Sequence, residues 1–574
     1  MKVLSLILVL ALLSGCSSAP VATVSPEPET TAAAQPVVQE TVAAEIPYAS
    51  RFTAVTQIVL SDDGITVDGG SETDAVFTSR DIIYYEDRDA YDSGNPYGEG
   101  EARDRHTAQE AQAHLVVNIT KPGAYRVSGK LTAGQLRIDL GDDAYEDPEA
   151  VVELILDSAD ITCTVAPAIL FMNTYECDGY WSVETAKADV DTSDAGANLI
   201  LEGESLVNGS HVAKIYKDKE GEKKLWKQDG AIYSYMSMNV FGPGSLELTA
   251  DNEGLDTELH LTINGGDITI YSDNDGINTN EDGISVTTIH AGNLRIFAGL
   301  GEEGDGIDSN GYLVIHGGTV ISCAKPISDA GLDSDMGSFV HGGTVVAMGS
   351  AMDWAESESR QVTMNLRFAQ QQKAGSKITI TTTDGGEVFS FALDSQYARG
   401  FSGLILSCGA LRQGETYHIY VDGVQMGYTG TDVGGFPGGF GGRPGGMGGM
   451  PEGFEPGQMP EGFDFENMPE GFGDPMPGFD RGEMPEGFDP EKMGGEGGRG
   501  PGGDRQGMTP PEGFDRERPE GFNGQMPEGF GGELPEGMEF PGGFGDRGSN
   551  QPGEANTEFY MNDMVNSFSG VKAV

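Results

Sequence analysis

The sequence predicts an all-β protein: a parallel β-helix, or solenoid, with a small antiparallel β cap and a long disordered segment rich in Gly, Pro and Met. Three observations predict it. Between residues 228 and 350 a unit recurs, opening as DGAIYS at Asp229, EGLDTE at Glu253, DGINTN at Asp275, DGIDSN at Asp305 and AGLDSD at Ala330, so that its glycines step by 24, 22, 30 and 25 residues. A second mark, Asn264 and then His290, His316 and His341, each just before a Gly-Gly or Ala-Gly pair, steps by 26, 26 and 25. Between the marks, short apolar runs such as Leu259, Leu261 and Ile263 alternate with polar residues, and no unit holds a helical pattern. A fixed period of 20 to 50 residues signals a repeat architecture. Short alternating runs broken by Gly, Asn and Asp signal strands joined by turns. Several strands per turn of chain, with no helix, leave a solenoid whose coils stack strand on strand.

Each stretch takes its place around that repeat. Lys2, the apolar run Val3 to Leu13 and the closing Leu13-Ser14-Gly15-Cys16 read as a signal peptide over residues 1–15, because the run is too short to span a bilayer. Its end resembles the lipobox of bacterial lipoproteins, which implies a lipid on Cys16 and anchoring to the outer face of the cytoplasmic membrane. Residues 16–50, rich in Ala, Thr, Val, Pro and Glu without periodicity, read as the lipidated Cys and a flexible tether. Residues 51–359 form the β-helix, interrupted by a charged surface insertion at 84–112 and by a lysine-rich stretch at 211–227. That stretch, with Lys214, Lys217, Lys219, Lys223, Lys224, Lys227 and Trp226, reads as a solvated loop between coils rather than a polysaccharide contact or a base. Residues 360–430 form the antiparallel cap, with a hairpin turn at Asp384-Gly385. Residues 431–555, where Met-Pro-Glu-Gly-Phe recurs, form the disordered insertion, and 556–574 form a C-terminal segment whose last nine residues, Asn566 to Val574, read as a strand.

Composition bounds the partners. With 34 Lys and Arg against 91 Asp and Glu, the formal charge is −57, which repels nucleic acid and attracts divalent cations. Cys163, Cys177, Cys323 and Cys408 show no zinc-site spacing and read as buried free thiols, although export permits a disulfide.

The repeat also stacks carboxylates. Asp256, Asn278, Asp308 and Asp333 hold one place in successive units, and the acidic and amide residues ahead of the recurring glycines, Asp275, Asp305, Asn274, Asp273 and Glu253, complete the shell. At a coil spacing of about 4.8 Å, oxygens from neighbouring coils share one ion, and an all-oxygen set favours calcium. The competing reading is that these residues bond their own turns. The histidine column reads as a polar ladder instead of a zinc site: its outer members stand about 9.6 Å apart by the same spacing, too far to meet on one small ion.

The succession ITKPGAYRVSGKL, QDGAIYS, DNEGLDTELHLTINGGDITI, DGINTN, GDGIDSNGYLVIHGGTVIS and GETYHIYVDG resembles a family of bacterial carbohydrate-binding domain proteins from cellulolytic clostridia. The resemblance covers roughly residues 52–425. It implies a right-handed parallel β-helix like that of pectate lyases, bound calcium, and binding of polygalacturonate or cellulose without catalysis. The 84–112 insertion, the lysine stretch, the Met-Pro-Glu-Gly-Phe segment and the histidines before Gly-Gly depart from the family pattern. The alternative is a calcium-dependent pectate-type lyase. It needs a basic group, and the repeat offers Arg295 and Lys325, with Lys325 beside the acidic column, a neighbourhood that favours a protonated rather than a basic amine. A structural surface protein is the second alternative. The sequence therefore predicts a surface lipoprotein that binds plant cell-wall or other acidic polysaccharide through a calcium-stabilised β-helix.

Overall fold

Three ladders of parallel strands run through the molecule. The computed structural model describes residues 46–86, 100–179, 182–183, 185–216, 224–393, 396–431 and 555–574. The expected signal peptide, Cys16, most of the tether and all but the end residues of the 431–555 segment lie outside them. The described chain is all-β with a single short α-helix, and no helix among these residues is long and apolar enough to cross a membrane.

The first ladder stacks Leu115–Ile119, Gly134–Asp139, Ile169–Asn173, Gly230–Ser234, Glu253–Thr257, Ile277–Thr279, Ile307–Ser309 and Asp333–Ser334 in parallel. The second runs through Ala197–Glu202, Met238–Phe241, Leu261–Ile263, Val286–Ile289, Tyr312–Ile315 and Gly337–Val340. The third runs through Glu204–Gly209, Ser245–Ala250, Asp267–Ser272, Asn293–Phe297, Thr319–Cys323 and Thr344–Gly349. Alternation along each short strand sends one row of side chains into a shared core. Ile232, Leu255, Ile277 and Ile307 stand in register and are fully buried, each contributing roughly 1.5–3 kcal/mol of transfer free energy. The register corrects one step of the repeat: Tyr233 pairs with Asp256 and Ile232 with Leu255, so the first step is 23 residues, not 24. Burial of Ile232 over Leu255 decides this, because a slip of one residue would turn the row outward.

Two glycine columns let the ladder strands stack. At Gly254, Gly276 and Gly306 an added Cβ would meet the carbonyl of the next glycine in the column at 2.4 to 2.6 Å. At Gly266, Gly292, Gly318 and Gly343, just past the histidine marks, φ lies between +79° and +98°, which L side chains resist.

The strand Phe401–Ser407 runs antiparallel to Thr344–Gly349 and closes the end of the third ladder. It also pairs with Thr363–Gln372, whose other edge takes the C-terminal strand Val565–Ala573 in parallel. The hairpin Ile378–Thr382 with Glu387–Phe391 turns through Gly385. These strands do more than cover an end. A second apolar cluster joins Phe368, Phe391, Leu404, Ile419 and Phe568 to Phe297, Ile321 and Val346, on the outer side of the third ladder.

The 84–112 stretch is not all surface insertion. Tyr85 is fully buried, its hydroxyl donating to the Gly100 carbonyl, and Ala108–Ala113 form a helix capped by reciprocal Thr107 and Glu110 hydrogen bonds. Thr-x-x-Glu is a helix-start signal that strand-seeking reading passes over.

Candidate functional site

The acidic column is built by the first ladder. Asp256 pairs with Asn278, Asn278 with Asp308 and Asp308 with Asp333. Each lies next to an inward apolar residue and so faces away from the core. The column is nonetheless covered: Asp256 is fully buried and Asn278 nearly so. Asp275 and Asp305 stand beside it and tie one repeat to the next, Asp275 Oδ1 accepting from the Asp305 N–H at 2.7 Å and Asp305 Oδ1 from the Ala330 N–H at 2.5 Å. Of the expected ligands, then, Asp256 and Asn278 come together, Asp308 and Asp333 continue the line, and Asp275 and Asp305 each spend one oxygen on a turn.

The tightest group adds one residue, Asp229, to that expected ligand set. Asp229, Glu253 and Asp256 place carboxylate oxygens within 4.8 Å of one another, the one such group of three among the described residues. Glu253 precedes Gly254 as Asp275 precedes Gly276. Asp229 immediately precedes Gly230, which pairs with Glu253 across the ladder. Three side-chain oxygens here, Glu253 Oε2, Asp256 Oδ2 and Asn278 Oδ1, are buried with no hydrogen-bond partner. Leaving such atoms dry costs about 1–3 kcal/mol each, so an all-oxygen cradle with negative charge and unused lone pairs fits a hard cation. Calcium therefore suits these residues.

Lys227 is the second addition. Its strand Lys224–Gln228 pairs antiparallel with Val212–Tyr216, and this hairpin carries the ammonium onto the column. Lys227 Nζ lies 2.8 Å from Asp229 Oδ2 and donates to Asn280 Oδ1 at 2.8 Å, while Asn280 Nδ2 donates to Asp256 Oδ1 at 2.6 Å. The reading of 211–227 as a solvated loop thus fails at Lys227: a cation of this length reaches a carboxylate cluster that would otherwise be unbalanced. Tyr233, one coil before Asp256, closes the column with its hydroxyl donating to Glu258.

Electrostatics follow from the burial. Desolvation, then Glu253, pushes Asp256 well above the ordinary carboxylate range, and desolvation with Asp229 raises Glu253. Desolvation with neighbouring carboxylates raises Asp275 and Asp305, lifts Asp308 to about 8 and raises Asp333. Burial alone would lower the Lys227 ammonium, but Asp229, Glu253, Asp256 and Glu258 outweigh it and hold the group above its usual value. Lys325 donates to the Gly301 carbonyl, and Arg295 pairs with Asp267 at 2.5 Å.

The histidine column stacks through its backbone, the His290, His316 and His341 N–H groups each bonding a carbonyl of the preceding coil at 2.7–2.8 Å. The ring centroids of His290 and His316 are 4.7 Å apart and nearly parallel, and those of His316 and His341 are 5.3 Å apart and steeply inclined. No metal-spaced group of three forms there among the described residues. The four described cysteines are free thiols, and burial pushes Cys163 and Cys323 up to about 12.

A family model described as carbohydrate-binding domain-containing protein matches residues 114–390, just under half of the chain. A relative of that description from Acetivibrio thermocellus (strain ATCC 27405) is 31% identical over 155 residues, 27% of this chain and 44% of the relative. The chain thus spans less than half the length of the curated relative it matches. A solved structure, the gadolinium derivative of the polysaccharide lyase-like protein from C. thermocellum, is similar at 22% identity and a TM-score of 0.30, over 50% of this chain and 93% of that one.

Proposed function

We propose, from the carbohydrate-binding family match of residues 114–390, that this chain is an exported, lipid-anchored protein that binds cell-wall polysaccharide and does not cleave it. In this reading the three ladders are the faces of a right-handed parallel β-helix, and Asp229, Glu253, Asp256 and Asn278 hold calcium. The family match carries the polysaccharide. The three partnerless oxygens on adjacent coils support the cation. Bound calcium would neutralise the buried carboxylates and so stabilise the ladder. The protein's own groups position the ion: Asn280 orients Asp256, and Lys227 balances Asp229.

The same geometry favours binding over a lyase. A lyase base must release its proton near neutral pH, and Lys227, the ammonium at the cluster, is held protonated by four carboxylates. Incubating the full chain with polygalacturonate and calcium tests both readings. Retention on the polysaccharide without growth of ultraviolet absorbance from unsaturated uronides is expected. Growth of that absorbance establishes a lyase, and failure to bind polygalacturonate or cellulose removes the carbohydrate reading. Export and anchoring rest on residues 1–16 and predict that Cys16→Ala moves the protein from the membrane fraction to the soluble one.

A further inference from the structure

The oxygens of the carboxylate group divide between two tasks. Asp229 Oδ2 meets the Lys227 ammonium at 2.8 Å, and Asp256 Oδ1 accepts from Asn280, which in turn accepts from Lys227. Glu253 Oε2, Asp256 Oδ2 and Asn278 Oδ1 are left without a hydrogen bond. One oxygen of Asp256 thus belongs to the Asn280–Lys227 network, and the other is open to an ion. The network and a bound cation do not compete for the same atoms.

The ammonium is also held in place. Its hairpin is rooted in the core: Val212 pairs with Gln228, both are fully buried, and Ile215 is buried on the same strand. The Lys227 and Asp229 side chains are each 17% exposed, so solvent screens the pair weakly. Lys325 and Arg295 are spent elsewhere, on the Gly301 carbonyl and on Asp267.

A charge balance follows. Asp229, Glu253 and Asp256, ionised around a metal, carry three negative charges, and Lys227 returns one, which leaves this group at −2. That is the charge of one divalent partner. A fixed positive charge beside the seat opposes every cation in proportion to that cation's own charge. It therefore weakens a trivalent ion by half as much again as a divalent one.

We infer that Lys227 sets the charge preference of the seat: it is a built-in cation that matches the group to one divalent ion and discriminates against trivalent ions. The inference rests on the cation reading of the cluster and deepens it by assigning the residue that selects among ions.

Calorimetric titration of the full chain with calcium and with terbium(III) tests it. Lys227→Met is expected to bind calcium at least about tenfold more tightly and terbium at least about thirtyfold, because the two free-energy gains stand as two to three. Lys227→Gln is neutral, keeps a donor for Asn280 and carries the same expectation, so the test does not depend on one variant folding. Lys227→Arg keeps the charge and should keep the wild-type ratio of the two affinities. Neutral variants that bind both ions more weakly make Lys227 a structural prop of the cluster and overturn the inference. An unchanged ratio in the neutral variants overturns it too, as does a raised ratio in Lys227→Arg. A wild-type chain that binds neither ion removes the cation reading itself, and the inference with it.

Discussion

Lys227 holds more of the cluster together than its place in a lysine-rich stretch suggests. It sets one ammonium against Asp229, Glu253 and Asp256, two of which are fully or almost fully buried. Removing one partner from a buried charge group leaves the rest uncompensated, at a cost of about 3–5 kcal/mol. Lys227→Met should therefore lower stability by about that amount in urea unfolding with chelator present, and added calcium should restore part of it. The same group gives a pH dependence. A carboxyl whose pKa is higher folded than unfolded holds its proton more tightly in the fold, so it contributes stability at low pH and loses it as pH rises. Asp308, lifted to about 8, with Asp275 and Asp305 also raised, predicts that the cation-free protein weakens from about pH 4 to pH 8. Urea midpoints across that range in chelator should fall, and calcium should flatten the slope. Sequence made the Asp256, Asn278, Asp308 and Asp333 register legible, because a fixed period reports stacking directly. It hid Lys227, because the hairpin that delivers it lies outside the period and its burial is tertiary.

At the level of the element, the ladders owe their spacing to glycine. A Cβ on Gly306 would lie 2.5 Å from the Gly331 carbonyl and closer still to the Ser322 hydroxyl. Gly306→Ala should cost about 3 kcal/mol, whereas Gly409→Ala, with nothing within 4 Å of the added carbon, should stay within about 0.5 kcal/mol. Thermal unfolding of the two variants compares them directly. The recurring Asp-Gly and Gly-Gly marks announced these turns, and Asp384-Gly385 announced the cap hairpin. The helix Ala108–Ala113 and the flank packing of the cap were not legible. One is only six residues long, and the other joins Phe297 and Val346 to Phe568 across long sequence separations.

For the whole molecule, with its charge of −57, any cation that binds only the folded chain would stabilise it by mass action. Calcium at a hundredfold excess over its dissociation constant should add about 2.7 kcal/mol per independent site, read as a rise in melting temperature that chelator reverses and magnesium matches poorly. The N-terminal side is held as well: the Ile46 N–H bonds the Asn264 carbonyl, and Glu153 accepts from Ser50 and Arg51. The part of the expected tether nearest the ladders is therefore docked.

The two ends of the 432–554 segment meet. Tyr428 and Asn556 exchange backbone hydrogen bonds at 2.9 Å in both directions, and Val565–Ala573 lies along Thr363–Gln372 with Phe568 and Val571 buried. A protease cut between these ends should leave the pairing of Val565–Ala573 with Thr363–Gln372 in place. The fragments should run apart on a denaturing gel and together on a native one, and a C-terminal piece added in trans should restore a chain that lacks it. Such a protein would survive being cut in two.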